Sequence, residues 1–314
     1  MKVYSDIATV KLDAINQKKF CAIGVFDGVH LGHQRIISTL VRQAKSADAV
    51  SCVITFANHP LEILAPPYAP GLIMPPQKRV KILKELGVDV VVPLVFSRML
   101  ADIEPEPFLR EIVFERWGIS KLFCGFNFRF GKDGNGDTAL LKKLSKKFHI
   151  PVQIISRVLK RDLEVSSTKI RELLDDGMVR LAAELLTRPL TLSGKVKKGV
   201  GRGTALGFPT ANIEPEKNVL VPASGVYAVR VAFSGKTYNG MMNIGRSPTF
   251  DDAGFGLETH LFNYKGSLFG KRIHIHFIER LRDEKKFKSA GALISQLEKD
   301  EVETRKVLKV STEV

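Results

Sequence analysis

The chain has 314 residues, 44% hydrophobic and 26% charged, which suits a globular protein with material for two cores rather than one. Lys and Arg outnumber Asp and Glu by 48 to 33, a surplus that favours anionic partners (nucleic acid, acidic lipid or phosphorylated small molecules) without choosing among them. Cys21, Cys52 and Cys124 lack CxxC spacing and are too few for a disulfide framework. No basic segment followed by an apolar stretch marks a signal peptide, and no apolar run reaches bilayer length, so a cytoplasmic protein is expected.

The first half alternates strand and helix patterns. Residues 20–26 form an apolar run suited to a buried parallel strand, and residues 31–45 then show helical period, with Ile36, Ile37, Leu40, Val41 and Ala44 on one face. Strands follow over 50–56 and 88–95, with a helix over 77–86 between them. A helix over 107–117 begins at a proline, where the missing amide donor costs nothing. A strand over 121–124, a helix over 138–148 and a strand over 152–155 complete the series. This order predicts an α/β domain, a doubly wound parallel sheet with helices on both faces.

Helical pattern continues through 170–174 and 181–186, and the punctuation changes at Arg188-Pro189. Short runs over 226–233, 238–244, 259–263 and 272–277, separated by Gly, Pro, Asn and Asp, read as strands of an antiparallel barrel or sandwich. A closing amphipathic helix spans 290–307. The expected domains are 1–187 and 188–314.

Gly24-Val25-Phe26-Asp27-Gly28-Val29-His30-Leu31-Gly32-His33 joins the first strand to the first helix. Ligands of an open parallel sheet bind beyond the carboxyl ends of its strands, where a helix N-terminus favours phosphate. Gly24, Gly28 and Gly32 admit close backbone approach. His30 and His33 share one side of the first helical turn, from which imidazoles can donate to phosphoryl oxygens. A surface pair is the plain alternative, and a zinc pair would need a third ligand. Ser166-Ser167-Thr168-Lys169-Ile170-Arg171 places hydroxyls at a helix start with cations one turn in, which alone reads as ordinary capping. Gly125-Phe126-Asn127-Phe128-Arg129-Phe130-Gly131 follows another strand end, though alternating aromatics are usually core.

In the second half, Gly201-Arg202-Gly203 begins a glycine-rich loop that can cradle phosphates but is no Walker A motif. Thr210 and Asn212 alternate in extended chain and so point the same way. Two neutral oxygens there can help hold Mg2+ beside nucleotide phosphates, or can simply be turn residues leading into a strand.

The first three segments resemble the adenylyltransferase domain of bacterial bifunctional riboflavin kinase/FAD synthetases, which carries HxGH, GxxFxFG and (I/V)SSTxIR in this order. Thr55-Phe56-Ala57-Asn58-His59-Pro60 is similar to the family's TFxPHP strand end, with Asn58 where Pro is usual. Pro209-Thr210-Ala211-Asn212 resembles the PTAN motif of riboflavin kinases. Segments at Gly225-Val226-Tyr227, Asn243-Ile244-Gly245-Arg246-Ser247-Pro248-Thr249-Phe250, Glu258-Thr259-His260-Leu261 and Leu281-Arg282-Asp283-Glu284 resemble its later ones. Thr204 and Asn263 depart from residues common in the family.

The resemblance implies a nucleotidyltransferase domain followed by a β-barrel kinase domain with a C-terminal helix. The implied reactions are riboflavin to FMN and FMN to FAD, with ATP, riboflavin and FMN as substrates and Mg2+ as cofactor. It implies catalytic roles for His30, His33 and Glu258, the last as general base. Gly24, Asp27, Gly28, Gly32, Ser166, Ser167, Thr168, Arg171, Arg202 and Gly203 would bind ATP. Phe56, His59, Pro60, Asn127 and Arg282 would border flavin, and Thr210 and Asn212 the metal. Two alternatives are an adenylyltransferase for another acceptor (pantetheine phosphate or nicotinamide mononucleotide), against which the PTAN half argues, and an inactive RNA-binding or regulatory flavin protein. No RNA-recognition signature supports the latter, and no nucleic-acid or membrane partner is expected.

Overall fold

The computed structural model describes residues 7–12, 14–199, 202–246 and 255–310. These fall into two compact units, Met1–Ser167 and Thr168–Val314. No helix among the described residues is long and apolar enough to cross a membrane.

In the first unit, β1 (Lys19–Ile23), α1 (Leu31–Ser46), β2 (Val50–Phe56), the short α2 (Leu61–Leu64), α3 (Pro76–Glu85) and β3 (Val90–Leu94) follow in order. The short α4 (Arg98–Ala101) and α5 (Pro105–Pro107), β4 (Ile119–Gly125), α6 (Thr138–Phe148) and β5 (Val152–Ile155) come next, then the hairpin β6 (Leu159–Lys160) and β7 (Leu163–Glu164). The five long strands are all parallel in the order β3-β2-β1-β4-β5, the doubly wound arrangement expected. Alternate residues feed opposite faces: Cys21, Ile23, Cys52 and Ile54 join one core with Trp117, while Ala22, Val53 and Phe123 join another with Ile37 and Leu40. The three thiols are free and buried. Burial pushes Cys52 and Cys124 up to about 12, which leaves them inert.

Two expected elements of this unit differ by more than a residue or two at an end. The first strand stops at Ile23 instead of Phe26, because Phe26 adopts left-handed backbone. The expected helix over 107–117 begins at Pro105 and continues from Phe108 to Arg116 with π-helical bonding, its wider turn burying Phe108, Leu109, Ile112, Val113 and Phe114 together.

The second unit holds α7 (Ser167–Asp175), which starts on the last residue of the first, then α8 (Val179–Leu186), β8 (Thr191–Lys197), the short α9 (Arg202–Ala205) and β9 (Thr210–Pro215). β10 (Gly225–Phe233), β11 (Lys236–Arg246), β12 (Phe255–Leu261), β13 (Arg272–Arg282) and α10 (Ala290–Val310) complete it. The strands form a closed barrel in the order β10-β11-β12-β9-β8-β13, which decides between barrel and sandwich. Tyr227, Val229, Val231, Ile273, Ile275 and Phe277 are fully buried at alternate positions.

α8 packs on β13 and buries Val179, Ala182, Leu185 and Leu186. Each large apolar side chain so buried contributes about 1.5–3 kcal/mol. A fragment of residues 168–314 is therefore expected to unfold cooperatively at a clearly higher urea midpoint than one of residues 188–314. Equal midpoints would show that α8 adds nothing to the barrel.

Candidate functional sites

The first site lies at the carboxyl ends of β2, β1 and β4, which are adjacent and parallel and so open on one edge of the sheet. After Ile23 the chain makes an elbow: Phe26 has φ 51°, Gly28 φ 81° and Val29 φ 40°. A β-branched residue at positive φ is a strained conformation that persists only when its surroundings enforce it. Several groups do so. Thr55 Oγ1 donates to the Val25 carbonyl at 2.8 Å, Ser167 Oγ to the Asp27 carbonyl at 3.0 Å, and Gln34 Nε2 to the Val29 carbonyl at 2.9 Å. The Asp27 carboxylate, 1% exposed, accepts from the backbone amides of Ile73 at 2.9 Å and Met74 at 3.3 Å.

The elbow delivers His30 as the N-cap of α1, its Nδ1 accepting from the His33 amide at 3.3 Å. A neutral ring so bonded carries its proton on Nε2. The two imidazoles stack at 3.6 Å and 17°, and Phe26 meets His33 edge-on at 5.2 Å. A Cβ on Gly32 would stand 3.1 Å from His30 Cε1, so the glycine makes room for the folded-back ring. Gly24 similarly underlies the Phe26 ring.

On the β2 side, Phe56 packs edge-on against Phe96 at 5.4 Å. His59 Nδ1 accepts from the Leu61 amide and Pro60 leads into α2, so both shape the strand-end loop. Asn58 bonds the Phe96 carbonyl at 3.0 Å and amide at 2.8 Å, extending the pairing of β2 and β3, which a proline side chain cannot do. On the β4 side, Asn127 is exposed above Gly125, while Phe130 is buried beside Phe108 and Phe128. Ser166 and Ser167 close this unit, whereas Thr168 and Arg171 lie on α7 in the other.

Arg79, which belongs to none of the motifs, is fully buried on α3. Its Nη1 donates to the carbonyls of Val25 and Phe56 and to Thr55 Oγ1. Burial lowers its pKa, which Asp27 opposes. The legible signal was a charge on the same helical face as Val80 and Leu83.

The second site is a row on the outer face of the barrel. Asn212 on β9 and Asn243 on β11 both oppose Glu258 on β12, and Asn243 and Arg282 both oppose Val226 on β10. Directly opposed residues share a face. Thr210, two residues from Asn212, donates its hydroxyl to Glu258 Oε2 at 3.4 Å. Asn243 Nδ2 donates to Glu284 Oε1 at 3.4 Å, a contact that the motifs did not foretell. A cavity of about 550 Å3 opens beside Thr210, lined among others by Lys197, Lys198, Pro209, Leu261, Tyr264 and Phe269. Gly203 lies in α9, its carbonyl accepting from the Phe208 amide at 2.8 Å. The Arg202 side chain and residues Gly201 and Ser247–Phe250 lie outside the described residues. Arg282 is committed to Asp300, with Nε at 3.0 Å and Nη2 at 2.6 Å from its oxygens, and Gln296 also donates to Asp300 at 2.8 Å.

Family models match both halves: FAD synthetase over residues 12–169 and riboflavin kinase over residues 186–308. The bifunctional riboflavin kinase/FMN adenylyltransferase of Buchnera aphidicola subsp. Schizaphis graminum is 34% identical over 96% of each chain. That of Bacillus subtilis is 34% identical over 91% of each, and that of Escherichia coli K12 33% over 90% of each. A solved Streptococcus pneumoniae chain described as a macrolide-efflux protein shares the fold with a TM-score of 0.84 at 31% identity, over 94% of this chain and 97% of that one.

The tight fit at Gly32 gives a direct test of the His30 cap. Gly32→Ala should displace the ring and weaken its bond to the His33 amide. A net hydrogen bond of about 1 kcal/mol corresponds to roughly fivefold faster local amide exchange. Unchanged exchange at His33 in the variant would show that the ring has room to spare.

Proposed function

This chain belongs to the bifunctional riboflavin kinase/FMN adenylyltransferase family, an FAD synthetase domain preceding a riboflavin kinase domain, and from that premise we propose how its residues divide the two reactions. Residues 1–187 carry adenylyl transfer and residues 188–314 phosphoryl transfer, with α7 and α8 supporting the barrel.

For adenylyl transfer, the observation that carries the reading is the stacked His30–His33 pair capping α1. The FMN phosphate attacks the α-phosphorus of ATP in one step, and the bond to pyrophosphate breaks. His30 and His33 donate to the phosphates as charge builds, aided by the positive end of the helix. Gly24, Asp27, Gly28 and Gly32 form the floor for the nucleotide, and Ser166, Ser167, Thr168 and Arg171 hold the departing pyrophosphate. Phe56, His59, Pro60 and Asn127 border the flavin.

For phosphoryl transfer, the contact between Thr210 and Glu258 carries the reading. The Glu258 carboxylate accepts the proton of the ribityl 5′-hydroxyl as that oxygen attacks the γ-phosphorus of ATP. Arg202 and Gly203 contact the nucleotide phosphates, and Arg282 borders the flavin with its charge balanced by Asp300. Thr210 and Asn212 fit Mg2+: both offer hard oxygens, and the Thr210 proton is turned to Glu258, leaving lone pairs for a cation. When bound, such an ion neutralises nucleotide phosphate charge.

The partners are small molecules, namely ATP, riboflavin and FMN, and no nucleic acid. Buried free thiols suit a reducing compartment, which we take to be the cytoplasm.

The double variant His30→Ala/His33→Ala, given riboflavin, ATP and Mg2+, should accumulate FMN and make little FAD, the loss appearing in kcat. Undiminished FAD synthesis would remove these residues from the mechanism. Glu258→Gln should lower kinase turnover roughly 10²–10⁴-fold, the usual worth of a positioned base, with little change in substrate binding. Adenylylation of supplied FMN should persist in that variant. Normal FMN production would show that Glu258 is not the base.

A further inference from the structure

We propose that Arg79 is a positioning residue for adenylyl transfer, holding the elbow that presents His30 and His33 through a single nitrogen of its guanidinium. The proposal rests on the reading of these histidines as phosphate-contacting groups.

Arg79 is fully buried, and its bonds are unevenly distributed. Nη1 makes all three: to the Val25 carbonyl, to the Phe56 carbonyl at 2.9 Å and to Thr55 Oγ1 at 3.2 Å. Nε and Nη2 are buried and meet no acceptor among the described residues. Toward the described residues the guanidinium therefore presents no fork to a carboxylate, the service for which arginine differs from lysine. It acts as one point donor.

The position of that point explains its consequence. Val25 immediately precedes left-handed Phe26, and Phe56 ends β2. Nη1 thus pins the carboxyl ends of two neighbouring strands at the place where the chain begins the turn to His30. The segment leading into α3 completes the arrangement, because the amides of Ile73 and Met74 hold the Asp27 carboxylate. One stretch, residues 73–79, therefore grips the elbow on both sides of Phe26. Release of Val25 would let the start of the elbow drift, and a displacement near 1 Å at reacting groups can cost roughly 100-fold in rate.

Because one nitrogen does the work, a lysine ammonium placed there can serve the same three acceptors and would bring no buried idle N–H groups. Methionine, of similar length, can serve none. Arg79→Met should lower kcat for FAD formation from supplied FMN by roughly 10- to 100-fold with a smaller change in KM. Riboflavin phosphorylation in the same preparation should stay within about twofold, because that reaction is assigned to the other unit, which Arg79 does not belong to. Arg79→Lys should restore adenylylation to near wild type, with a urea midpoint no lower than wild type.

Wild-type adenylylation by Arg79→Met would overturn the proposal. So would an Arg79→Lys variant as impaired as Arg79→Met, since the fork would then matter. Should Arg79→Met fail to fold, Arg79→Lys decides: near-wild-type kcat supports the single-nitrogen role and a loss of tenfold or more overturns it. His30→Ala/His33→Ala assayed alongside separates the two failures. If it keeps FAD synthesis, the histidine reading falls; if it loses FAD synthesis while Arg79→Met does not, only the Arg79 proposal falls.

Discussion

The first site depends on a backbone that would not hold its shape alone. Phe26 and Val29 both have positive φ, and each such residue costs of order 1–3 kcal/mol. The conformation persists because side chains from three directions bond to it: Thr55 and Arg79 at Val25, Ser167 at Asp27, and Gln34 at Val29. Asp27 adds an anchor of its own through Ile73 and Met74. The strain has a geometric return. An unbent strand would enter α1 without the reversal that makes His30 an extended N-cap, and the His30 ring would not fold onto the turn that carries His33.

The barrel site depends on register instead. Glu258, Asn212 and Asn243 share the outer face only because each pair is directly opposed. A slip of one residue in β12 would turn Thr259 outward and Glu258 into the apolar interior, at a large desolvation cost. Closure of the sheet between β10 and β13 removes the free edge along which such a slip would begin. The Arg282–Asp300 pair, its carboxylate buried and its guanidinium partly exposed, then ties the end of β13 to α10, the helix that packs over β10, β11 and β13.

What the sequence discloses follows from how local each feature is. The segments over 50–56, 138–148 and 152–155 are found where their patterns place them: the two strands are short apolar runs, β2 buried along nearly its whole length, and the helix buries Leu141 and Leu144 on one stripe. The motifs around His30 and Glu258 are contiguous and so were readable. Arg79 was not, since its acceptors lie 54 and 23 residues away. β8 is hard to read from sequence because Lys195 and Lys197 dilute its alternation with Val196, though that alternation suits a barrel strand with one wet face. Arg282 stands in its motif, but its pairing with Asp300 is visible only in three dimensions. Asn58 is the reverse case: a departure from the expected proline that the fold accommodates by bonding Phe96 twice.

The two reactions make different demands on their nucleophiles, and the two sites differ accordingly. Riboflavin attacks through a neutral hydroxyl, whose proton must leave as the new bond forms, so that reaction calls for a base such as a carboxylate. FMN attacks through a phosphate that is already anionic and has no such proton to lose. A carboxylate facing it would add repulsion between like charges. The groups suited to that chemistry are N–H donors and a helix N-terminus, which answer the charge of two phosphorylated reactants at once. Asp27 is compatible with that requirement because its carboxylate is buried and turned to the amides of Ile73 and Met74. On the proposed division of roles, the acid in the elbow stabilises the backbone without facing the phosphates, whereas Glu258 on the barrel is partly exposed, as a base for a hydroxyl must be.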